Sequence, residues 1–163
     1  MSEKIHTIKL RVDDERDLYN SFAINQDTLS DDLMSYIEQK AEDRNIGEKV
    51  IIEVDSHKDI DIENLKRVFH KYIDDELNSL EKAKKVYSMK QIRLFIIGFI
   101  FIAIWLAFSK TNFAVIVEIL SIIGSFAIWE ATNIWLIDKP DLKMRRIKFE
   151  FLKNFEIVQT IRL

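Results

Sequence analysis

The feature that most constrains this 163-residue chain is an apolar run, Leu94 to Phe108, without a single charged or strongly polar side chain. A second apolar run, Phe113 to Ile137, is interrupted by Glu118, Glu130 and Asn133. Ile92 and Arg93 extend the first run, so as helices rising about 1.5 Å per residue the two stretches reach roughly 25 and 37 Å, against about 30 Å of bilayer hydrocarbon. We therefore predict transmembrane helices over residues 92–108 and 113–137. A soluble bundle is disfavoured, because the acidic remainder of the chain would have to surround a helix that is hydrophobic on all sides.

The predicted spans form a tight hairpin, because residues 109–112 are their only connection. The hairpin loop contains one basic residue, Lys110. Eleven basic residues flank the two outer ends: Lys82, Lys84, Lys85, Lys90, Arg93, Lys139, Lys143, Arg145, Arg146, Lys148 and Lys153. Basic residues favour the cytoplasmic side. We expect a protein of the cell (inner) membrane with both termini in the cytoplasm.

Residues 1–60 are predicted to form a cytoplasmic strand-helix-strand domain. Apolar and polar residues alternate over Ile8 to Val12 and again over Val50 to Val54, which is typical of half-buried strands. Between them, apolar residues at helical spacing follow a candidate cap at Ser30, and Gly47 is placed to end that helix. Residues 1–80 contain 11 basic and 20 acidic groups, a net charge of 11 − 20 = −9, whereas residues 81–163 contain 13 and 7, a net charge of +6.

An amphipathic stalk helix is predicted over residues 61–91. Glycine and proline are absent from it, so the helix either continues into the first span, giving about 70 Å for residues 62–108, or breaks near Ser88. After the second span, residues 138–163 are expected to break at Pro140 and form a basic helix. The end of the chain, residues 155–163, fits either a third strand or more of that helix. The predicted fold class is an α+β membrane protein, a two-helix transmembrane hairpin with a small cytoplasmic domain of two or three strands.

The sequence contains no motif that is typical of an enzyme. Glycine occurs only at positions 47, 98 and 124, which rules out phosphate-binding and dinucleotide-binding glycine loops. The chain has no cysteine, and its three histidines lack zinc-ligand spacing. An acidic cluster at residues 55–63 lacks the glycine turn of a calcium loop, and we expect it to cap the next helix. We predict no enzyme, no cofactor and no metal.

The second span carries a polar stripe, the candidate functional site. At about 100° per residue, several residues fall on the side of Glu118. The predicted pore-lining or inter-subunit residues are Glu118, Ser121, Ser125, Trp129, Glu130, Thr132 and Asn133. Gly124, Ala127 and Ala131 lie nearly opposite and suit close packing on the first span.

A two-helix hairpin cannot enclose a water-filled path, so we expect a symmetric homo-oligomer, of which a tetramer is one form, with the second span at its axis. Rings of Glu118 and Glu130 would select cations, with Trp129 at a gate. The alternative is that both carboxylates lie in the interfacial regions of a tilted helix.

The run Ile122 to Leu136 (IIGSFAIWEATNIWL), with the pair Trp129 and Glu130 and the basic exit at Met144, Arg145 and Arg146, resembles small bacterial two-span membrane proteins. Among these are phage-defence effectors of the Hailong type. The resemblance implies a channel-like oligomer whose soluble part binds a DNA signal.

An oligonucleotide or nucleotide signal would need a basic patch. The candidates, for such a signal or for lipid headgroups, are Lys66, Arg67, Lys71, Lys143, Arg145, Arg146 and Lys148. Two functions stay open, an oligomeric ion channel or pore-forming effector gated by its cytoplasmic domain, and a non-conducting membrane scaffold or sensor that recruits a soluble protein partner.

Overall fold

The computed structural model describes residues 5–22, 26–42, 49–108 and 114–161. Its elements are β1 (Ile5–Val12), a 3-10 helix (Glu15–Leu18), α1 (Asp31–Glu42), β2 (Lys49–Ser56), α2 (Ile62–Phe108), α3 (Ala114–Asn133), a π-helical segment (Ile134–Asp138), α4 (Lys139–Leu152) and β3 (Phe155–Ile161). The chain is α+β and divides into two compact units. Unit 1 combines residues 1–79 with 145–163, and unit 2 is residues 80–144.

Unit 1 is built on a parallel three-stranded sheet in the order β1-β2-β3. The register aligns Ile8 with Ile52 and Ile52 with Ile157. Alternate residues of β1 and β2 are buried, which confirms the two strands predicted from period-two apolarity.

The first crossover of the sheet contains α1, as predicted. The backbone N–H of Met34 donates to the Ser30 carbonyl oxygen at 3.1 Å, so the first helical turn closes on Ser30. Leu29 lies before the helix, in a bridge with Tyr19. The expected end of this helix at Gly47 lies outside the described residues.

Helix α2 runs from Ile62 to Phe108 without interruption. Asp61 caps it, because its carboxylate accepts a hydrogen bond from the backbone N–H of Asn64 at 2.9 Å, which agrees with the role predicted for the acidic cluster. At about 1.5 Å per residue the helix is about 70 Å long. The alternative with a break near Ser88 is therefore wrong.

The predicted break at Pro140 is also wrong, since helical structure continues from α3 through the π-helical segment into α4. Proline cannot donate to the carbonyl four residues earlier. In the π-helical segment the backbone widens, and the N–H of Lys139 donates instead to the carbonyl of Ile134. The proline is thus accommodated at the second residue of α4. Beyond it, β3 pairs with β2, so residues 155–161 form the third strand and not more helix.

Two helical stretches are long and apolar enough to cross a membrane, judged by length and composition alone: Ile62–Phe108 and Val115–Leu152.

Candidate functional site

The two apolar helices of unit 2 cross at a pair of glycines. A Cβ atom added to Gly98 would lie 2.5 Å from Cγ1 of Ile128 and 3.0 Å from the carbonyl oxygen of Gly124. One added to Gly124 would lie 2.9 Å from Cβ of Phe101. A side chain at either position would require atoms of Ile128, Phe101 or the nearby backbone to shift. Gly124 and the fully buried Ala131 therefore face α2, as predicted for the small-residue side of α3.

At the centre of α3, the polar stripe faces away from the crossing with α2. Glu118, Ser125 and Trp129 are exposed, Trp129 at 65%. A shallow groove of about 360 Å³ follows the stripe and is lined by Ser121, Ile122, Ser125, Phe126 and Trp129. The structure thus brings three of the predicted site residues, Ser121, Ser125 and Trp129, to one continuous surface.

The hydroxyl groups of the stripe are satisfied within the helix. Ser125 Oγ donates to the carbonyl oxygen of Ser121 at 2.9 Å, and Thr132 Oγ1 donates to that of Ile128 at 2.9 Å. Asn133 is partly exposed and forms no capping bond where α3 passes into the π-helical segment. Among the residues that the structure describes, Glu118 has neither a hydrogen bond nor an ion pair. Of the two stripe carboxylates, Glu118 is thus the one without a partner among the described residues.

Glu130 has a different environment. Its carboxylate forms an ion pair with the Lys90 ammonium group on α2, with Nζ to Oε1 at 2.8 Å. This hydrogen bond raises the pKa of Lys90 above its ordinary value. Next to it, Lys139 Nζ donates to Gln91 Oε1 at 2.6 Å. Two polar links thus join α2 to the end of α3 and the start of α4.

Some residues of the predicted basic patch have a hydrogen-bonding or ionic partner among the described residues, and others have none. Lys66, Lys71 and Lys143 are exposed, and in the described part of the chain they have no ionic partner. Arg67 donates to Asn64 Oδ1 at 2.7 Å. The remaining members pair with carboxylates of unit 1: Arg145 with Glu76 at 3.9 Å, Arg146 with Glu150 at 2.8 Å and Lys148 with Glu38 at 3.5 Å. Arg145 and Lys148 thus link α4 to α2 and α1, whereas the pair of Arg146 lies within α4.

A larger cavity, which the sequence did not reveal, lies in unit 1 beside the edge strand β1. Its volume is about 930 Å³, and it is bounded by β1, the 3-10 helix and the first turns of α1. Basic side chains such as Arg11 and Arg16 and acidic ones such as Asp31 and Asp32 both line it. Tyr36 lies at its wall and donates to the Lys9 carbonyl oxygen at 3.4 Å. Strand periodicity could have placed Lys9 and Arg11 on an exposed face, but nothing local predicts the cavity.

The described residues contain no group of three or more His, Cys, Asp or Glu side chains placed to hold a metal ion. No family model, curated protein or solved structure matches the chain.

Proposed function

We propose that the chain is a membrane protein that crosses the bilayer twice and assembles with copies of itself into an ion channel, a tetramer being one such assembly. The observation that carries the proposal is the carboxylate of Glu118, which is exposed on the predominantly apolar helix α3 and has no hydrogen bond or ion pair with any residue that the structure describes. Such a group in lipid costs up to a few kcal/mol at the centre of a span and less near its end. A neighbouring copy that covers the stripe, or water along an axis, removes that cost.

The sheet supports a topology with both ends of the hairpin on one side of the membrane. Helix α2 follows β2 directly, and α4 leads directly into β3. These two strands are adjacent and parallel in one sheet, with Val50 opposite Phe155. The two outer ends of the hairpin must then return to the same compartment, and the basic flanks favour the cytoplasm.

Cation selection is assigned to Glu118 and not to Glu130. In the proposed assembly a ring of Glu118 carboxylates attracts cations. Glu130 shares its charge with Lys90, so the pair contributes little net field. Trp129, exposed on the same face, forms the hydrophobic constriction.

The unit 1 domain is proposed to gate the channel. Because α2 joins both units without a break, a change in unit 1 has a rigid element through which to reach the span. The resemblance of Ile122 to Leu136 to two-span phage-defence effectors supports antiviral defence as the setting, with a nucleotide or oligonucleotide as the signal.

The assembly is testable with single cysteines, since the chain contains none of its own. Ser125→Cys should form a disulfide between copies when membranes are oxidised. Ile123→Cys is the matched control, because Ile123 is exposed at nearly the same depth but about 160° away around α3. Crosslinking of Ile123→Cys without Ser125→Cys would place another face at the interface.

Conduction is tested separately with purified protein in planar bilayers. Glu118→Gln should lower the preference for cations, and Glu118→Leu with Ser125→Leu should abolish the current. Lys58→Gln, at an exposed position of unit 1 outside the predicted basic patch, is the control for general effects of charge. Absence of conductance under every condition, with monomeric behaviour in lipid, would refute the channel.

The second candidate is a non-conducting membrane scaffold or sensor that recruits a soluble protein. It is favoured by the internal satisfaction of Glu130, Ser125 and Thr132 and by the cavity beside β1. Here the Glu118 and Ser125 substitutions should change stability only.

A further inference from the structure

One face of α2 carries exposed basic and apolar side chains just before the predicted first span. Lys82, Val86, Met89 and Arg93 are spaced by four, three and four residues, so at about 100° per residue they share an arc of roughly 60°. Val86 and Met89 are 58% and 52% exposed. We call these four residues the basic stripe. All of them belong to unit 2.

The charges of the basic stripe are uncompensated. Lys82 and Arg93 have no ion pair with any residue that the structure describes, and no Asp or Glu occurs in α2 from Lys82 to Phe108. In unit 1, Lys148 and Lys153 by contrast pair with carboxylates at 3.5 and 2.9 Å. This surface combines basic charge that has no partner among the described residues with exposed apolar side chains. It is therefore suited to an environment that is both anionic and partly apolar.

The position of the stripe along the helix points to lipid headgroups. Arg93 adjoins the apolar run that begins at Leu94, and Met89 lies about 6 Å before Arg93. The headgroup region extends about 5–8 Å beyond the hydrocarbon on each side. Lys82, about 16 Å before Arg93, lies roughly one Debye length outside that layer and still experiences its charge.

A second copy of the chain is a poorer occupant. In a symmetric assembly with parallel copies, packing this stripe on itself would set Lys82 against Lys82 and Arg93 against Arg93, and like charges facing each other destabilise a contact. Exposed apolar residues continue the same face into the span at Ile96 and Ile100, where lipid chains would cover them.

We propose that the basic stripe binds anionic phospholipid headgroups, so that the protein selects phosphatidylglycerol over phosphatidylcholine at its cytoplasmic boundary. The inference rests on the membrane placement proposed above. Each basic side chain near an anionic surface contributes about a fivefold preference.

The test places a fluorescent label on Ile96→Cys in the otherwise cysteine-free chain, reconstituted in phosphatidylcholine vesicles. Quenching is measured with nitroxide phosphatidylglycerol and, separately, with nitroxide phosphatidylcholine at equal mole fraction, the nitroxide being near the headgroup end of the acyl chain. The phosphatidylglycerol probe should quench more strongly at Ile96→Cys. At Phe99→Cys, which is 62% exposed about 110° away from the centre of the stripe, the two probes should quench nearly equally.

Charge removal identifies the residues responsible. Arg93→Gln should lower the relative association constant for phosphatidylglycerol by about fivefold, and Lys82→Gln should lower it by less, because the attraction falls off within a Debye length. The control Lys58→Gln, at an exposed position of unit 1 outside the predicted basic patch, should leave it unchanged. High salt should reduce the preference in the parent chain.

Each contrary outcome has its own meaning. Equal quenching by both probes at Ile96→Cys would overturn the lipid preference and leave the membrane placement intact. No quenching by either probe would refute the membrane placement itself. A disulfide between copies at Ile96→Cys would show that a second copy covers the stripe, and would also overturn the inference.

Discussion

Substitution of Gly98 by alanine tests the tight helix crossing on which the orientation of the polar stripe depends. The added Cβ would lie 2.5 Å from Cγ1 of Ile128 and 3.0 Å from the carbonyl oxygen of Gly124. Non-bonded carbon atoms prefer about 3.5–4.0 Å. Relief requires a shift of about 1 Å between α2 and α3, because one of the two obstructing atoms belongs to a backbone.

The expected change in the free energy of unfolding is the difference between two opposing contributions. Overpacking of a close-packed site costs about 1–3 kcal/mol. Alanine regains about 0.5–1 kcal/mol of helix stability relative to glycine. The free energy of unfolding of Gly98→Ala should therefore fall by up to about 2.5 kcal/mol, most of the cost arising at Ile128.

The assay is titration of the full chain in detergent with sodium dodecyl sulfate, followed by tryptophan fluorescence. Ala103→Gly, at an exposed position of the same helix, measures helix propensity alone. In the double variant Gly98→Ala with Ile128→Ala the obstructing side chain is gone, so the two losses should be less than additive. A gain of stability in Gly98→Ala would refute the close crossing, because it would show propensity acting without a clash.

Three further predictions concern other parts of the molecule. Lys90→Gln and Glu130→Gln should each destabilise the hairpin in the same detergent titration, and the exchanged pair Lys90→Glu with Glu130→Lys should recover part of the loss. Burial, aided by neighbouring carboxylates, raises the pKa of Tyr72 from 10.0 to about 12, so the folded chain should lose stability as the pH rises from about 10 to 12. Urea unfolding across that range should show a smaller loss for Tyr72→Phe than for the parent chain. An equal loss in both chains would contradict the assignment to Tyr72. Phe149→Ala should lower the free energy of unfolding of unit 1 by about 3–5 kcal/mol, since Phe149 is fully buried, and a loss under 1 kcal/mol would show that the site collapses around the gap.

Periodicity predicted the elements whose signal is local. Alternation over Ile8 to Val12 marks a strand wherever the chain goes. The absence of glycine and proline from α2 allowed a continuous helix but left a break near Ser88 open, which only the structure excludes. The faces of α3 were also predictable, because small residues at helical spacing specify which side another helix can approach, as Gly124 does.

Contacts between distant residues were not predictable in the same way. Lys90 and Glu130 are forty residues apart, and only the crossing of two helices brings them to 2.8 Å. This contact changes the role of Glu130 from a free carboxylate to a paired one. The error at Pro140 is of another kind, because proline removes one backbone donor, and a widened turn can supply an alternative bond to the helix.

The position of the two apolar helices between β2 and β3 restricts how far their outer ends can move relative to each other. Parallel neighbouring strands require a crossover connection, and here that connection is the whole of α2, α3 and α4. The start of α2 and the end of α4 are consequently held by two strands in fixed register, and a slip of one residue would turn every β3 side chain to the opposite face. Small relative movements of the helix ends must therefore be absorbed within the helices, for which the π-helical segment before Pro140 is the least regular place. A large movement would first have to release β3, which as an edge strand is paired on one side only. In the proposed channel, a signal that frees or fixes β3 would act directly on the end of α4 and through β2 on the start of α2, whereas one that binds at β1 would reach both ends only through β2.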